Sequence, residues 1–230
     1  MLANTVIKIN EIFFSLQGES SRIGLPTVFI RLTGCPMRCN YCDTAYAFNG
    51  GENLTIHAIL AKVASYKTQY ITVTGGEPLA QRECLDLLTT LCDSSYEVSL
   101  ETGGALTIKD VDPRVKIILD IKTPGSGEVK NYHWPNLNYL KAKDEIKLVI
   151  TDHEDYIINL SKKYILLVEY YSSNPVGVRY RGNKDKLFKR DFAGEMIKKY
   201  NLNLIDYGFV YRFDKNPQDD LTWFLLKKKR

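Results

Sequence analysis

The first two thirds of the chain alternate between short apolar runs and segments with a helical hydrophobic stripe, which predicts strand and helix in turn. VIKINEIFF and TVFIRLTG are rich in β-branched and aromatic residues and read as two strands. LTIHAILAKVASY sets Ile56, Ile59, Leu60 and Val63 on one side of a helix. YITVTGGEP is a short apolar strand closed by a Gly-Gly turn, and LAQRECLDLLTTLC is a helix that offers Leu79, Leu87, Leu88 and Leu91 to a core. YEVSLETGG repeats the plan of strand then glycine. VKIILDIKTPG repeats it again with a nearly continuous apolar run, the pattern of a strand covered on both faces. EIKLVI, a helix over HEDYIINLSKK and the strand KYILLVEYY extend the series.

After the first two strands these units amount to about six parallel strands, fewer than the eight of a closed barrel. The economical architecture is therefore a single α/β domain over 1–230, an open parallel sheet rolled into a partial (β/α)6 barrel. Polar and glycine-rich residues recur at strand ends: a cysteine-bearing loop after Leu32, Thr74-Gly75-Gly76-Glu77 after Val73, Glu101-Thr102-Gly103-Gly104 after Leu100, and Lys122-Thr123-Pro124-Gly125 after Ile121. Any one glycine pair serves a turn, but ligands of parallel sheets sit at the carboxyl ends of strands, where all four clusters converge.

Composition narrows the setting. With 230 residues, 44% hydrophobic and 25% charged, the chain is long enough for a full core. No apolar stretch has the length of a membrane span, and the first residues lack the basic-then-apolar-then-small order of a signal peptide, so the expectation is a cytoplasmic protein that neither enters nor binds a membrane. A formal net charge of +4 is too small to indicate nucleic-acid binding but suits a small anionic substrate. The terminal KKKR reads as a solvated tail.

Five cysteines, three of them clustered, argue for reduced thiols rather than disulfides. Cys84 and Cys92 fall among leucines at helical spacing and read as core. Cys35, Cys39 and Cys42 form a C-x3-C-x2-C array in GCPMRCNYCDTAY, interleaved with Arg38, Asn40 and Asp43. A structural zinc site wants a fourth ligand nearby, and none of His57, His133 and His153 stands at zinc-ligand spacing. An iron–sulfur cubane fits better, because three thiolates hold three irons and leave the fourth open to an outside ligand.

This loop, with Tyr41 before its last cysteine and with Gly75-Gly76-Glu77-Pro78, resembles the radical S-adenosylmethionine (SAM) superfamily. The resemblance implies a [4Fe-4S] cluster whose open iron binds SAM, and reductive cleavage to a 5′-deoxyadenosyl radical shielded from water. EIFFSLQGES, GLPTVFIRLTGCPMRCNYCDTAYAF, VTGGEPLAQ, EVSLETGGAL and DIKTPGSGE are together similar to the 7-carboxy-7-deazaguanine synthases, over about residues 8–155. That family of carbon–nitrogen lyases acts in queuosine and deazapurine biosynthesis, contracting the ring of 6-carboxy-5,6,7,8-tetrahydropterin to 7-carboxy-7-deazaguanine with loss of ammonia.

Carried over by position, the resemblance implies that Leu16, Gln17, Gly18 and Thr74 bind the pterin and that Arg31 holds its carboxylate, a task suited to a two-pronged guanidinium. Tyr41, Cys42, Asp43, Gly76, Asp120, Ile121 and Lys122 would contact SAM. Cys35, Cys39 and Cys42 would ligate the cluster, and Thr44 would ligate Mg2+. Glu101 should face the same mouth, bonding a ribose hydroxyl or the substrate. The acting order would be hydrogen abstraction from C6 of the substrate, ring rearrangement, return of hydrogen and loss of ammonia. A homodimer and a flavodoxin or ferredoxin electron donor are also implied.

The last third departs from the family. No histidine follows His153 where a Leu-His-Lys-Tyr strand usually closes over the substrate, and the serine-proline turn that touches the cofactor is missing. Residues 165–230 read either as lineage divergence, with Tyr211, Arg212 or Asp214 replacing the cap, or as a shifted frame. Two alternative functions stand beside the lyase. A glycyl-radical-type activase would share the cysteine loop but would not need SLQGE or Arg31, and a catalytically impaired metal-binding homologue would suit the divergent end.

Overall fold

The computed structural model describes residues 5–149, 158–159, 161–180, 183–210 and 221–229. Contacts divide the chain into two compact units, Met1–Asp152 and His153–Arg230, where the sequence reading took one domain with a divergent stretch from 165.

In the first unit β1 (Val6–Leu16) and β2 (Pro26–Leu32) form an antiparallel pair that sets Glu11 opposite Arg31 and Phe13 opposite Phe29. The short β3 (Glu52–Thr55) flanks β1 and leads into α1 (Ile56–Ala64), whose first turn is capped by the Thr55 hydroxyl accepting from the Ala58 amide at 3.2 Å. Next come β4 (Tyr70–Gly75), α2 (Cys84–Asp93), β5 (Glu97–Thr102), β6 (Lys116–Ile121) and β7 (Glu145–Leu148). The sheet order is β3-β1-β2-β4-β5-β6-β7, parallel from β2 to β7.

One face of this sheet makes the core. Val28, Ile30 and Leu32 of β2, Ile71 and Val73 of β4, Val98 and Leu100 of β5, and Ile117, Leu119 and Ile121 of β6 pack against Ile56, Ile59 and Val63 of α1 and Cys84, Leu87, Leu88 and Leu91 of α2. Each such side chain taken fully from water contributes roughly 1.5–3 kcal/mol. Cys84 is fully buried there and Cys92 packs at its edge, as the leucine-rich spacing predicts.

The opposite face is polar, because successive residues of a strand point to opposite sides. Arg31, Thr72, Thr74, Ser99, Glu101, Asp120 and Lys147 alternate with the core residues. The run VKIILDIKTPG is covered on both faces as its pattern predicts, Ile118 being buried on the inner side, where Asp120 adds a polar group that the apolar run hides. Segment 17–22 crosses beneath this face. The Gln17 amide donates to Thr72 Oγ1 (3.1 Å) and Glu101 Oε1 (3.3 Å), Glu19 pairs with Lys147, and Ser21 N donates to Glu145 Oε2 (3.0 Å). Arg22 donates to the Glu97 carbonyl at 2.9 Å with its guanidinium over the Tyr70 ring. The segment therefore floors the amino-terminal end of the parallel strands.

The open α/β architecture is as expected, with three corrections. The parallel strands are β2, β4, β5, β6 and β7, one short of the expected count, and among the described residues two α-helices cover them. Leu79 lies in a 3-10 turn, Pro78–Ala80, ahead of α2. KYILLVEYY does not extend the parallel series: β8 (Tyr164–Glu169) belongs to the second unit and pairs antiparallel. Most of the helix expected over HEDYIINLSKK lies outside the described residues, as do Tyr211, Arg212 and Asp214.

The second unit adds β9 (Val176–Tyr180), β10 (Asn183–Lys189), α3 (Phe192–Tyr200), β11 (Leu202–Val210) and β12 (Leu221–Lys228). β9 and β10 pair with each other, and β11-β12-β8 make an antiparallel sheet whose Ile165, Leu202 and Leu226 pack on Met196 of α3. Asp191 caps α3 by accepting from Gly194 N at 2.7 Å, and Asn201 ends it in the left-handed conformation. The terminal lysines are not a solvated tail. Lys227 and Lys228 belong to the central strand of this sheet.

Candidate active site

All four polar strand-end clusters lie at the carboxyl end of the parallel sheet. The cysteine loop after β2 is pinned from several sides by backbone bonds: Gly34 N to Ala47 O (2.8 Å), Glu77 N to Gly34 O (2.8 Å) and Asn40 N to Ser126 O (3.0 Å). Glu128 accepts from Arg38 N at 2.7 Å, and the Arg38 guanidinium covers the Phe48 ring while donating to the carbonyls of Cys35 (2.7 Å) and Met37 (2.6 Å). The three thiols are thus held on one braced loop, all of them partly exposed and free of disulfides. Burial pushes the Cys35 and Cys39 thiols up, so a bound metal has to supply the positive charge that deprotonates them.

Gly76 presses against this loop so closely that a Cβ there would meet the Gly34 oxygen at 2.4 Å and Cys35 Cβ at 2.7 Å. Only glycine lets the β4 turn approach the cysteines. The next residue, Glu77, is fully buried and accepts from Thr102 Oγ1 (2.8 Å), Gly103 N (2.9 Å) and Leu79 N (3.2 Å), tying the β4 turn to the β5 turn. Burial raises its carboxyl above the usual range although these donors and Lys122 pull it down.

On β6 Asp120 pairs with Lys122 at 3.0 Å, and the Lys122 ammonium lies 5.7 Å from the centre of the Tyr41 ring. Burial lowers the Lys122 ammonium, but Asp120, Cys39 and Tyr41 outweigh it and leave its pKa above the ordinary value. Among the described residues the buried Tyr41 hydroxyl and Asp120 Oδ1 have no hydrogen-bond partner. Unmet buried polar atoms of this kind mark a place where a polar ligand belongs.

Further in, Arg31 donates from Nε to Glu11 Oε1 at 2.6 Å, between the rings of Phe13 and Tyr46, while the Tyr46 hydroxyl donates to the same Glu11 oxygen at 2.9 Å. Among the described residues its two terminal nitrogens make no hydrogen bond, so the outer edge of the guanidinium is available. Thr74 Oγ1 donates to Glu101 Oε2 at 3.3 Å. Burial raises the Glu101 carboxyl, while Lys147 on β7 draws it down.

The structure brings together most of the residues singled out from sequence. Cys35, Cys39, Cys42, Tyr41, Gly76, Asp120 and Lys122 share one end, and Gln17, Arg31, Thr74 and Glu101 share the polar face below it. Asp43 and Thr44 follow the last cysteine and are joined by a 2.7 Å bond from Thr44 Oγ1. Leu16 ends β1 opposite Pro26, and Gly18 is exposed in open space. The Ile121 side chain instead sits in the core, which leaves only its main chain to face a ligand. Sequence reasoning missed Glu11, Glu19, Tyr46 and Lys147, and took Glu77 only as part of a strand-end motif without its role in tying two turns together. The signal for Glu11 was the hairpin register opposite Arg31, and for Lys147 the alternation in EIKL.

The residues fit a cubane with SAM. Three thiols stand on a braced loop, a glycine removes all bulk beside Cys35, and two buried polar atoms of Tyr41 and Asp120 await partners.

Residues 29–122 match the model of the Radical SAM superfamily. The crystal structure of QueE from Escherichia coli shares the fold with a TM-score of 0.52 at 23% identity, over 67% of this chain and 88% of that one. The structure of TYW1 with a lysine-pyruvate adduct bound shares it at 0.51 and 12% identity, over 88% of this chain and 80% of that one. Fold and site together define a radical SAM enzyme, with a [4Fe-4S] cluster and SAM as its cofactors. The chain is 42% identical over 168 residues to the 7-carboxy-7-deazaguanine synthase of Chlorobaculum tepidum, covering 72% of this chain and 76% of that one. The synthase of Koribacter versatilis is 43% identical over 65% of this chain and 67% of its own, and that of Methanospirillum hungatei 35% over 83% and 82%. The chain belongs to the 7-carboxy-7-deazaguanine synthase family. Neither the activase nor the impaired scaffold is favoured by these relatives. Among the described residues no helix is long and apolar enough to cross a membrane.

Proposed function

We propose that this chain contracts the ring of 6-carboxy-5,6,7,8-tetrahydropterin to 7-carboxy-7-deazaguanine, releasing ammonia, and that it does so on the polar inner face of its sheet. The observation that carries the reading is the continuity of that face. Arg31, Thr74 and Glu101 lead directly to the strand end that holds the three thiols. When bound at that strand end, the cluster and SAM would supply the radical chemistry that removes a hydrogen from the substrate.

The protein's own residues bind, orient and shield. Cys35, Cys39 and Cys42 hold the cluster, while Gly76, the Tyr41 hydroxyl, Asp43, Asp120, Lys122 and the main chain at Ile121 receive SAM. The free edge of Arg31 takes the substrate carboxylate in a two-pronged contact, held in aim by Glu11 and the two flanking rings. Thr44 would present its hydroxyl to Mg2+, which would hold the substrate's oxygens. Gln17 supports the floor of the pocket and Glu101 accepts from a donor on the substrate, with the main chain of Leu16 and Gly18 closing the lower rim. The floor formed by 17–22 excludes water from below.

Anaerobic turnover with substrate deuterated at C6 tests the assignment. Deuterium in 5′-deoxyadenosine or in regenerated SAM, together with 7-carboxy-7-deazaguanine, is expected; product formed with no deuterium in either overturns it. Three further parts of the proposal have their own tests: turnover with flavodoxin or ferredoxin as reductant, light scattering for a homodimer, and cell fractionation for a cytoplasmic location.

A further inference from the structure

The whole-chain charge of +4 conceals an uneven distribution. Residues 153–230 hold 16 Lys and Arg against 10 Asp and Glu, whereas residues 1–152 hold 15 against 17. In the second unit the fold gathers this excess at one end of the β11-β12-β8 sheet. Lys162 and Lys163 precede β8, Lys198 and Lys199 stand in the last turn of α3, and Lys227 and Lys228 end β12 with Lys229 directly after it.

Pairing fixes these segments side by side. Lys228 N donates to Lys163 O at 3.0 Å, Lys227 faces Tyr164 in the ladder, and Lys228 faces Leu202 just past the end of α3. Lys228 Nζ donates to Ser161 O at 2.7 Å, and Lys229 Nζ to the Asn201 side chain at 2.5 Å, so these two ammonium groups are anchored by neutral oxygens. Among the described residues no carboxylate forms an ion pair with Lys162, Lys163, Lys198, Lys227 or Lys228. Like charges so assembled repel one another, and a polyanion relieves that repulsion.

One aromatic ring, that of Tyr164, lies within the same surface. Tyr164 is 48% exposed beside Lys163, whose ammonium stands 4.8 Å from the ring centre. Lysines that meet phosphates, with flat rings on which bases stack, are the combination used to bind single strands.

We propose that the lysine-rich end of this sheet binds single-stranded nucleic acid through its phosphates, with Tyr164 as a stacking platform. The site is independent of the reaction assigned to the first unit. The test measures anisotropy of labelled RNA and DNA strands of about 20 nucleotides, longer than the typical small-fold site of about 4–16, against the full chain over a salt series. The expected result is salt-dependent binding, stronger for whichever sugar the surface reads.

The triple variant Lys162→Glu, Lys163→Glu, Lys198→Glu should weaken that binding about tenfold or more at about 0.1 M salt. It should also flatten the slope of log K against log salt by about 2, because three phosphates of the strand are no longer neutralised. The matching Gln triple should lose less affinity, and Tyr164→Ala about fivefold. An unchanged melting temperature shows that each variant folds. Absence of binding at about 0.05 M salt overturns the proposal, as does equal binding by a folded Glu triple. Anionic vesicles that bind the chain while neither nucleic acid displaces them also overturn it.

Discussion

At Gly76 the absence of a side chain is a structural requirement, because the backbone of the cysteine loop stands where a Cβ would go. Gly76→Ala should therefore push the β4 turn off the loop, lowering stability by about 1–3 kcal/mol and reducing iron uptake on anaerobic reconstitution. Gly18→Ala, with nothing within 4 Å, should melt like the wild type. Arg31 makes a similar case through charge. Its aim depends on Glu11, so Glu11→Gln should raise KM for the pterin about threefold to tenfold with kcat largely kept, as loss of a charge-assisted bond implies. An equal fall in kcat would show that Glu11 acts in the reaction instead. The cysteines, glycines and Arg31 were legible in the sequence, since loop-bound thiols and strand-end glycines carry their reason in local chemistry. Glu11, Tyr46 and Lys147 were not, because each acquires its role from a partner on another strand.

Among the elements, β5, β6 and β7 decide what the inner face can do. Lys147 reaches Glu19 on the floor and draws down the pKa of Glu101, which burial raises. Lys147→Met removes the positive charge and should send the Glu101 carboxyl higher still. The carboxylate is then lost at a higher pH, so the acid limb of the kcat/KM profile should move upward in pH; an unmoved limb would exclude Glu101 as an ionised contact. Asn136 holds the turn after β5 by accepting from Ile108 N at 3.0 Å and donating to Leu106 O at 2.9 Å. Asn136→Ala should lower stability by about 1–3 kcal/mol in denaturant titration, since a buried amide and carbonyl lose their partners. Strands and helices through β7 were readable from hydrophobic period. The polar face inside β6 was hidden, because Ile117, Ile118 and Leu119 in succession mask an alternation that only Asp120 reveals. KYILLVEYY misled for a related reason: an apolar run marks a strand without saying which sheet it joins.

Across the whole molecule the superfamily match at 29–122 lies within the unit Met1–Asp152, which holds every residue assigned to the cluster, SAM and substrate. A fragment of residues 1–152 should fold cooperatively and bind iron after anaerobic reconstitution, as followed by thermal melting and absorbance; a fragment that aggregates would show that the second unit is needed for the first to fold. The terminal lysines escaped a reading from composition because net charge averages over the chain, whereas the sheet gathers them at one end. The central claim is that Cys35, Cys39 and Cys42 hold a cubane with one open iron facing SAM. It is tested most directly by electron paramagnetic resonance of the reduced, anaerobically reconstituted protein with and without SAM. The account predicts a [4Fe-4S] signal that shifts when SAM is added, and no such signal after Cys35→Ala, Cys39→Ala or Cys42→Ala. A signal indifferent to SAM, or one that survives loss of a cysteine, would contradict it.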